Sequence, residues 1–322
     1  MIKKNFLIVG LGNIGKKRLE ILIKEKIYNK IYVLDKKNIK IKDRNIIVLN
    51  KIDKNILSKL KIDLAILSVN PKYSYKYGKF FLNNKINILV EKPPFFNFKQ
   101  YKFLYRLSLK KKKYLFVGFN FLHDPVINII KKYYLNKIGN LYKIEINYLY
   151  GTSQSNVNKV GSFMDVGLHL IGIASYLFKN FKIISARLDV FEKKYSNYDE
   201  DGSITLKKGK TIINLNFSFI NWINKFDLKA IGSKGMIEAS GLAKWKNQKL
   251  NLYKRVLPSG YPKLIKKNDF KKDMSFNYEM LFIFKKINNK IYDTKENSKY
   301  LDILTKSFQI FRKQKKNINY FK

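Results

Sequence analysis

The stretch Asn5-Phe6-Leu7-Ile8-Val9-Gly10-Leu11-Gly12-Asn13-Ile14-Gly15 decides how the N-terminal half is read. Asn5–Val9 is a short apolar run, the pattern of a strand buried on both faces. It passes directly into Gly-x-Gly-x-x-Gly, after which Ile14, Leu19, Leu22 and Ile23 recur at helical spacing against Lys16, Lys17, Glu20 and Lys24. Strand, glycine loop and helix in that order form a phosphate-binding turn. Gly10 permits the tight turn and Gly12 lets the backbone approach a pyrophosphate. Gly15 lets the helix pack closely on the strand, so that its first amides, at Asn13 and Ile14, face the anion. A second strand, Lys30–Leu34, ends in Asp35, 20 residues after Gly15. A carboxylate there is placed to bind both ribose hydroxyls of an adenosine. It opposes a 2′-phosphate, so NAD is the expected cofactor. Lys36 and Lys37 follow at once and keep NADP as the alternative.

Working outward, strands are expected at Asn45–Leu49, Asp63–Val69, Ile86–Val90 and Tyr114–Phe119, with helices at Lys54–Leu60, Tyr73–Asn83 and Phe98–Lys111. This alternation implies a doubly wound parallel sheet. Ser68, Asn70 and Pro71 would sit at its carboxyl edge, over the cofactor, and Asn120 follows the last strand. Ile86–Val90 stops at Glu91-Lys92-Pro93-Pro94. Two prolines remove two backbone donors and end the ladder. A Glu and a Lys are thereby left where open α/β sheets bind their ligands.

The pattern changes after Asn120. A helix is expected from Pro125 to Tyr134 and a half-exposed antiparallel strand over Tyr142–Tyr150. A polar loop, Gly151–Gly161, precedes a helix over about Phe163–Phe178. Further strands are expected at Lys182–Val190, Ser203–Lys207, Thr211–Phe219, Lys225–Ile231, Met236–Ala239 and Lys249–Lys254, and helices at Phe276–Asn288 and Glu296–Lys315. The second half thus reads as an α+β domain with a mostly antiparallel, open-faced sheet. The division falls between 1–121 and 122–322, and the C-terminal helix is a candidate to pack back on the first domain.

The chain has 322 residues and a net charge of +43, carried by 60 lysines and only six arginines. Ile, Asn, Tyr and Phe are abundant too, and all these residues have codons rich in A and T. Codon bias therefore accounts for the charge without a partner. The lysines are dispersed, unlike a clustered, arginine-rich nucleic-acid footprint, so no nucleic acid is expected. A surface potential that favours anionic small molecules remains. No run of apolar residues is long enough to span a membrane. The N-terminus superficially resembles a signal peptide but lacks a small-residue cleavage site, so a cytoplasmic location is expected. The chain has no Cys, which excludes thiolate metal sites, and no metal is expected.

Two histidines occur, His123 and His169. His123 reads as a domain-junction residue. His169 lies in Asp165-Val166-Gly167-Leu168-His169, with Asp165 and His169 one helical turn apart and Gly167 leaving room between them. Taken alone, the pair reads equally as an internal hydrogen bond.

Together, the glycine motif, the acidic end of the second strand, Glu91-Lys92-Pro93, Gly118-Phe119-Asn120 with Pro125, and Asp-x-Gly-x-His are shared with a known family in order and spacing. Over essentially its full length the chain resembles the glucose–fructose oxidoreductase/inositol dehydrogenase (Gfo/Idh/MocA) family. The resemblance implies an N-terminal Rossmann domain and an NAD(P)-dependent oxidoreductase acting on a secondary hydroxyl or ketone of a sugar or nucleotide-linked sugar. It further implies a homo-oligomer, dimer or tetramer, formed through the open sheet face. It makes Lys92, Asp165 and His169 the catalytic group, and Gly10, Gly12, Asn13, Ile14, Gly15, Asp35, Ser68, Asn70, Glu91, Lys92 and Asn120 the cofactor site. The chain departs from the family at Phe121 and Leu122, where polar residues are usual, at Gly172 in place of a second Asp, and in lacking a tryptophan around Gln154–Lys159. A reductase of a non-sugar substrate, tetrapyrrole or imine, and a dinucleotide-binding regulator without turnover stay open as alternatives.

Overall fold

The computed structural model describes residues 3–37, 41, 43–94, 97–151, 160–191, 198–258, 260–289 and 292–314. Its contacts form two compact units, Met1–Asn120 with Phe276–Leu304 and Phe121–Ser275 with Thr305–Lys322. The tryptophan-less loop and residues 315–322 of the tail lie outside the described residues.

The first unit alternates as its sequence demands. In order come β1 (Lys4–Val9), α1 (Asn13–Glu25), β2 (Tyr28–Leu34), β3 (Ile46–Leu49), α2 (Lys54–Leu60) and β4 (Leu64–Leu67). They are followed by α3 (Pro71–Asn83), β5 (Asn87–Val90), α4 (Phe98–Lys110) and β6 (Leu115–Val117). All six strands are parallel, in the order β3-β2-β1-β4-β5-β6. Phe6 to Ile8, Leu64 to Leu67 and Ile88 to Val90 have no exposed surface, which is why their runs are continuously apolar. The order reverses between β1 and β4, so their carboxyl ends bound a crevice where such sheets bind ligands. Short polar caps set the helices. Asp53 accepts from the Ile56 amide at 2.9 Å, Asn70 from Lys72 at 3.0 Å and Asn97 from Lys99 at 2.8 Å.

Helix α5 (Pro125–Ile129) begins the second unit's structure and widens into a π-turn, Ile130–Tyr134, where a plain helix was expected. The unit's sheet holds β7 (Leu141–Leu149), β8 (Lys182–Asp189), β9 (Asp201–Lys208), β10 (Thr211–Ser218), β11 (Lys225–Gly232), β12 (Gly235–Leu242), β13 (Asn247–Lys254) and β14 (Lys263–Phe270). Helix α6 (Leu168–Phe178) precedes β8. The sheet order is β14-β13-β12-β11-β7-β10-β9-β8, antiparallel except where β10 runs parallel to β7. Strands β9 to β13 alternate buried and exposed residues, the period that sequence reading detects. Strand β14 was not expected. Lys263 to Lys267 are all exposed, so this edge strand carries no apolar alternation and is held by its ladder to β13.

Helices α7 (Ser275–Asn288) and α8 (Thr294–Gln314) end the described chain. Asn297 anchors this return within the first unit. Its Nδ2 donates to Ser108 Oγ at 2.7 Å and to the Lys113 carbonyl at 3.1 Å, while its Oδ1 accepts from the Leu115 amide at 3.2 Å. A fully buried Asn bonded to α4, to β6 and to the link between them specifies where the helix docks.

Candidate active site

The glycine loop opens into a groove of about 930 Å³ at the carboxyl ends of β1, β2 and β4, lined among others by Gly10, Gly12, Asn13, Asp35, Ser68 and Asn70. The three glycines have different reasons. Gly10 has φ +88°, and a Cβ there would meet the Ser68 carbonyl at 2.6 Å. A Cβ on Gly15 would come within 2.0 Å of the Gly10 carbonyl, so helix and loop touch only because it is absent. A Cβ on Gly12 would meet no atom of the protein within 4 Å. The chain itself therefore does not require glycine at position 12. The open space there leaves the loop backbone approachable from outside.

Other features fit an occupant of this groove. Helix α1 starts at Gly12 without a side-chain cap and without an acidic residue in its first turn. Its first amides are thus not satisfied by a cap and meet an anion favourably. Ser68 Oγ is buried with no hydrogen-bond partner among the described residues. Asp35 accepts from the Leu11 amide at 2.6 Å and from the Lys37 amide at 2.8 Å. Partial burial opposes its ionisation, but these two amides and the ammonium groups of Lys37 and Lys36 prevail and hold its pKa below the ordinary value. An ionised, oriented carboxylate remains to accept from ribose hydroxyls. The residues present fit a dinucleotide, which would lie along this groove. Ile14 is 40% exposed on the first turn of α1, whereas Gly15 is buried behind the loop.

Glu91 lies elsewhere. Its carboxylate accepts from Arg18 Nε at 2.7 Å, inside the first unit. Lys92 follows, half-buried, joined to Pro93 by a cis peptide bond. Asn120 is buried, in a 3-10 turn Asn120–His123, and His123 in that turn is half-buried.

In the second unit Asp165 and His169 share one turn, but not of a regular α-helix. Phe163–Gly167 is a π-turn that leads into α6. Such bulges are frequent at functional sites. Asp199 tethers the turn, accepting from Ser162 Oγ and from the Phe163 amide, both at 2.6 Å. Burial raises the Asp199 pKa to about 7, against the pull of those two bonds. Gly167 does not leave room for a ligand, contrary to the reading above. A Cβ there would meet Phe163 at 2.8 Å and Phe217 at 3.3 Å, so this glycine lets the turn pack on the sheet.

His169 is 6% exposed and sits against aromatic rings. The Phe121 ring centroid is 4.6 Å from its own and that of Tyr148 is 6.4 Å away, while Phe226 packs on both of those rings. Phe121, a departure from the family pattern in the sequence, is thus the wall beside the histidine. Tyr148 and Tyr150 extend the wall to Lys244, which donates to their hydroxyls at 2.6 and 2.9 Å. Sequence reading missed these residues, since a Tyr-x-Tyr strand end and one lysine among 60 carry no motif. Lys92 belongs to the first unit, and Asp165 and His169 to the second. No cluster of His, Asp and Glu able to hold a metal occurs among the described residues, and none of their helices is long and apolar enough to cross a membrane.

Comparison with known proteins agrees with this geometry. Residues 4–119 match the oxidoreductase family with the NAD-binding Rossmann fold, and residues 135–238 match the GFO/IDH/MocA C-terminal domain. No curated protein matches the chain. Among solved structures, a 3-ketoreductase from Actinomadura kijaniata in complex with NADP and TDP-benzene superposes with a TM-score of 0.78 at 13% identity, covering 96% of this chain and 97% of that one. A UDP-N-acetylglucosamine 3-dehydrogenase from Acidithiobacillus ferrooxidans superposes at 0.73 with 12% identity, over 96% and 97%. A dehydrogenase from Clostridium difficile gives 0.74 and 19%, over 96% and 99%. At such identities these structures establish the shared fold. With both family domains matched in sequence, the chain belongs to the Gfo/Idh/MocA family of NAD(P)-dependent oxidoreductases.

Proposed function

We propose that the protein moves a hydride to or from a secondary hydroxyl or ketone carbon of a sugar, most readily a nucleotide-linked sugar, with NAD as the preferred cofactor. The observation that carries this reading is His169, in the first turn of α6 directly after the π-turn that bears Asp165, and walled by Phe121 and Tyr148. The nucleotide-sugar part is supported by the two neighbours that bind TDP-benzene or act on UDP-N-acetylglucosamine. The bound nicotinamide supplies the hydride acceptor or donor. His169 takes the hydroxyl proton in the oxidising direction, a task suited to imidazole near neutral pH. Lys92 hydrogen-bonds the reacting oxygen and stabilises its developing negative charge. Asp165 binds a neighbouring hydroxyl and orients His169. Glu91 and Asn120 complete the nicotinamide end of the cofactor site. The protein acts in the cytoplasm as a homo-oligomer formed through the open face of the β7–β14 sheet. On that face Asn147 already bonds Asp227 and Asn216, both at 2.7 Å.

The test is a screen of sugars and nucleotide sugars for NAD(H)- or NADP(H)-linked absorbance change, followed by Lys92→Ala and His169→Ala. Each variant should lose roughly 10²–10⁴-fold in turnover, and His169→Ala should keep its cofactor affinity. The rising limb of the pH–rate profile for oxidation should disappear in His169→Ala. Turnover that survives both changes would sink the assignment and favour a non-sugar reductase.

A further inference from the structure

The π-turn that bears Asp165 is held at its start by a residue to which the chemistry above gives no task. Helical backbone begins at Gly161, so the amides of Ser162 and Phe163 fall in the first turn, where donors lack partners inside the helix. Asp199 takes both. Its carbonyl accepts from the Ser162 amide at 2.8 Å. Its Oδ2 accepts from the Phe163 amide and from Ser162 Oγ, both at 2.6 Å. One acidic residue, 36 positions along the chain from Phe163, thus caps this helix from outside it.

The anchor is itself fixed to the sheet. Asp199 is 1% exposed and lies just ahead of β9. Its neighbour Glu200 donates its amide to the carbonyl of Asp189, at the end of β8, at 2.8 Å. The Glu200 carbonyl accepts from the amide of Phe219, next after β10, at 2.7 Å. The turn also rests on β10, where the Phe163 and Phe217 ring centroids are 5.7 Å apart. Both rings lie where a Cβ on Gly167 would be, so the two ends of the five-residue turn, Phe163 and Gly167, are tied to the sheet. What these ties hold is a register. A π-turn is rare, and its relaxation to an α-turn would shift the backbone by one residue. Such a shift rotates side chains by about 100° around the helix axis, which would part Asp165 from the direction of His169.

We propose that Asp199 is a positioning residue for the proton-transfer pair: by holding Ser162 and Phe163 it keeps the π register that sets Asp165 and His169 relative to each other. This rests on the reading of His169 as the proton-transfer residue. Asp199 acts through the backbone of the turn and not on the reacting atoms.

His169 reports on the turn directly. The chain has two histidines, so His123→Gln identifies which ring signal in the NMR spectrum belongs to His169. Asp199→Ala removes both side-chain bonds. It should move the His169 ring signal and lower turnover of the sugar found in the screen by about 10–100-fold, the loss expected when a reacting group is misplaced by about 1 Å. NADH affinity should stay, because the cofactor groove belongs to the first unit. Asp199→Asn keeps an accepting oxygen and should restore both the signal and the turnover. Ser162→Ala removes one bond and should give a smaller effect in the same direction, which keeps the test decisive if Asp199→Ala does not fold. A His169 signal that stays in place in the folded variants would overturn the proposal. So would turnover that only follows the folded fraction of each variant, leaving Asp199 as a structural tie. The two readings fail separately. Turnover that survives His169→Ala refutes the catalytic reading, while a moved His169 signal in Asp199→Ala still supports Asp199 as the residue that sets the turn.

Discussion

Arg18 Nε donates to Glu91 at 2.7 Å while the guanidinium's other arm lies 2.7 Å from the carboxylate of Glu279. The guanidinium is fully buried and lies 4.7 Å from the Phe276 ring centroid. It joins the helix that follows the glycine loop, the strand end that carries Lys92, and α7 from the far end of the chain. A Cβ on Gly118 would come within 2.5 Å of Glu91 and 3.2 Å of Arg18, so that glycine makes room for the pair. Removing one partner from a buried ion network leaves charges uncompensated.

That network and two other buried carboxyls predict how stability depends on pH. Burial is the largest cause in each case, raising Asp124 to about 6 and Asp199 and Glu279 to about 7, although Arg18 opposes the shift at Glu279. Their pKa values in the unfolded chain lie near ~4. Folding thus favours the protonated form. The contribution is complete below the unfolded pKa and is lost as pH rises through the folded value. Thermal melts followed by circular dichroism should show Tm falling between about pH 4 and 7. Glu279→Gln should flatten that slope, and Arg18→Ala should cost ~3–5 kcal/mol at neutral pH. A Tm that rises across this window would contradict the assignment.

The glycine loop separates folding from binding. Gly12→Ala adds a methyl that touches nothing in the protein, so Tm without cofactor should hold within about 0.5 kcal/mol of stability. NADH affinity, read by fluorescence titration, should fall by at least about tenfold. Gly15→Ala should do the opposite first: its methyl cannot fit 2.0 Å from the Gly10 carbonyl, and the fold itself should weaken. Equal losses of stability in the two variants would show that Gly12 serves the fold.

The proposed role of Asp35 is to decide between the two nicotinamide cofactors. Its ionised carboxylate, fixed by the Leu11 and Lys37 amides, should make NADH bind more tightly than NADPH. Asp35→Ala should narrow the gap, because it removes both the ribose acceptor and the repulsion of a 2′-phosphate. Tighter NADPH binding in the unaltered protein would mean that the ammonium groups of Lys36 and Lys37 outweigh the carboxylate.

Sequence alone determined the parallel sheet and the cofactor groove, because both are written locally. A strand buried on both faces is a continuous apolar run, and Gly10, Gly12 and Gly15 lie within six residues of chain. Asp165 and His169 were also visible as a pair at one-turn spacing. Strand β14 was not, since an edge strand exposed along most of its length is held by backbone ladder bonds that any side chain permits. Nor were the purpose of Gly167, the partner of Glu91 or the wall around His169. Arg18 meets Glu91 across 73 residues of chain, and Lys244 meets Tyr148 across 96. Such pairs leave no periodic trace in sequence, because they arise only when distant strands and helices are brought into register. Burial then sets their strength, excluding water from a guanidinium or a phenol that would be freely solvated in the extended chain.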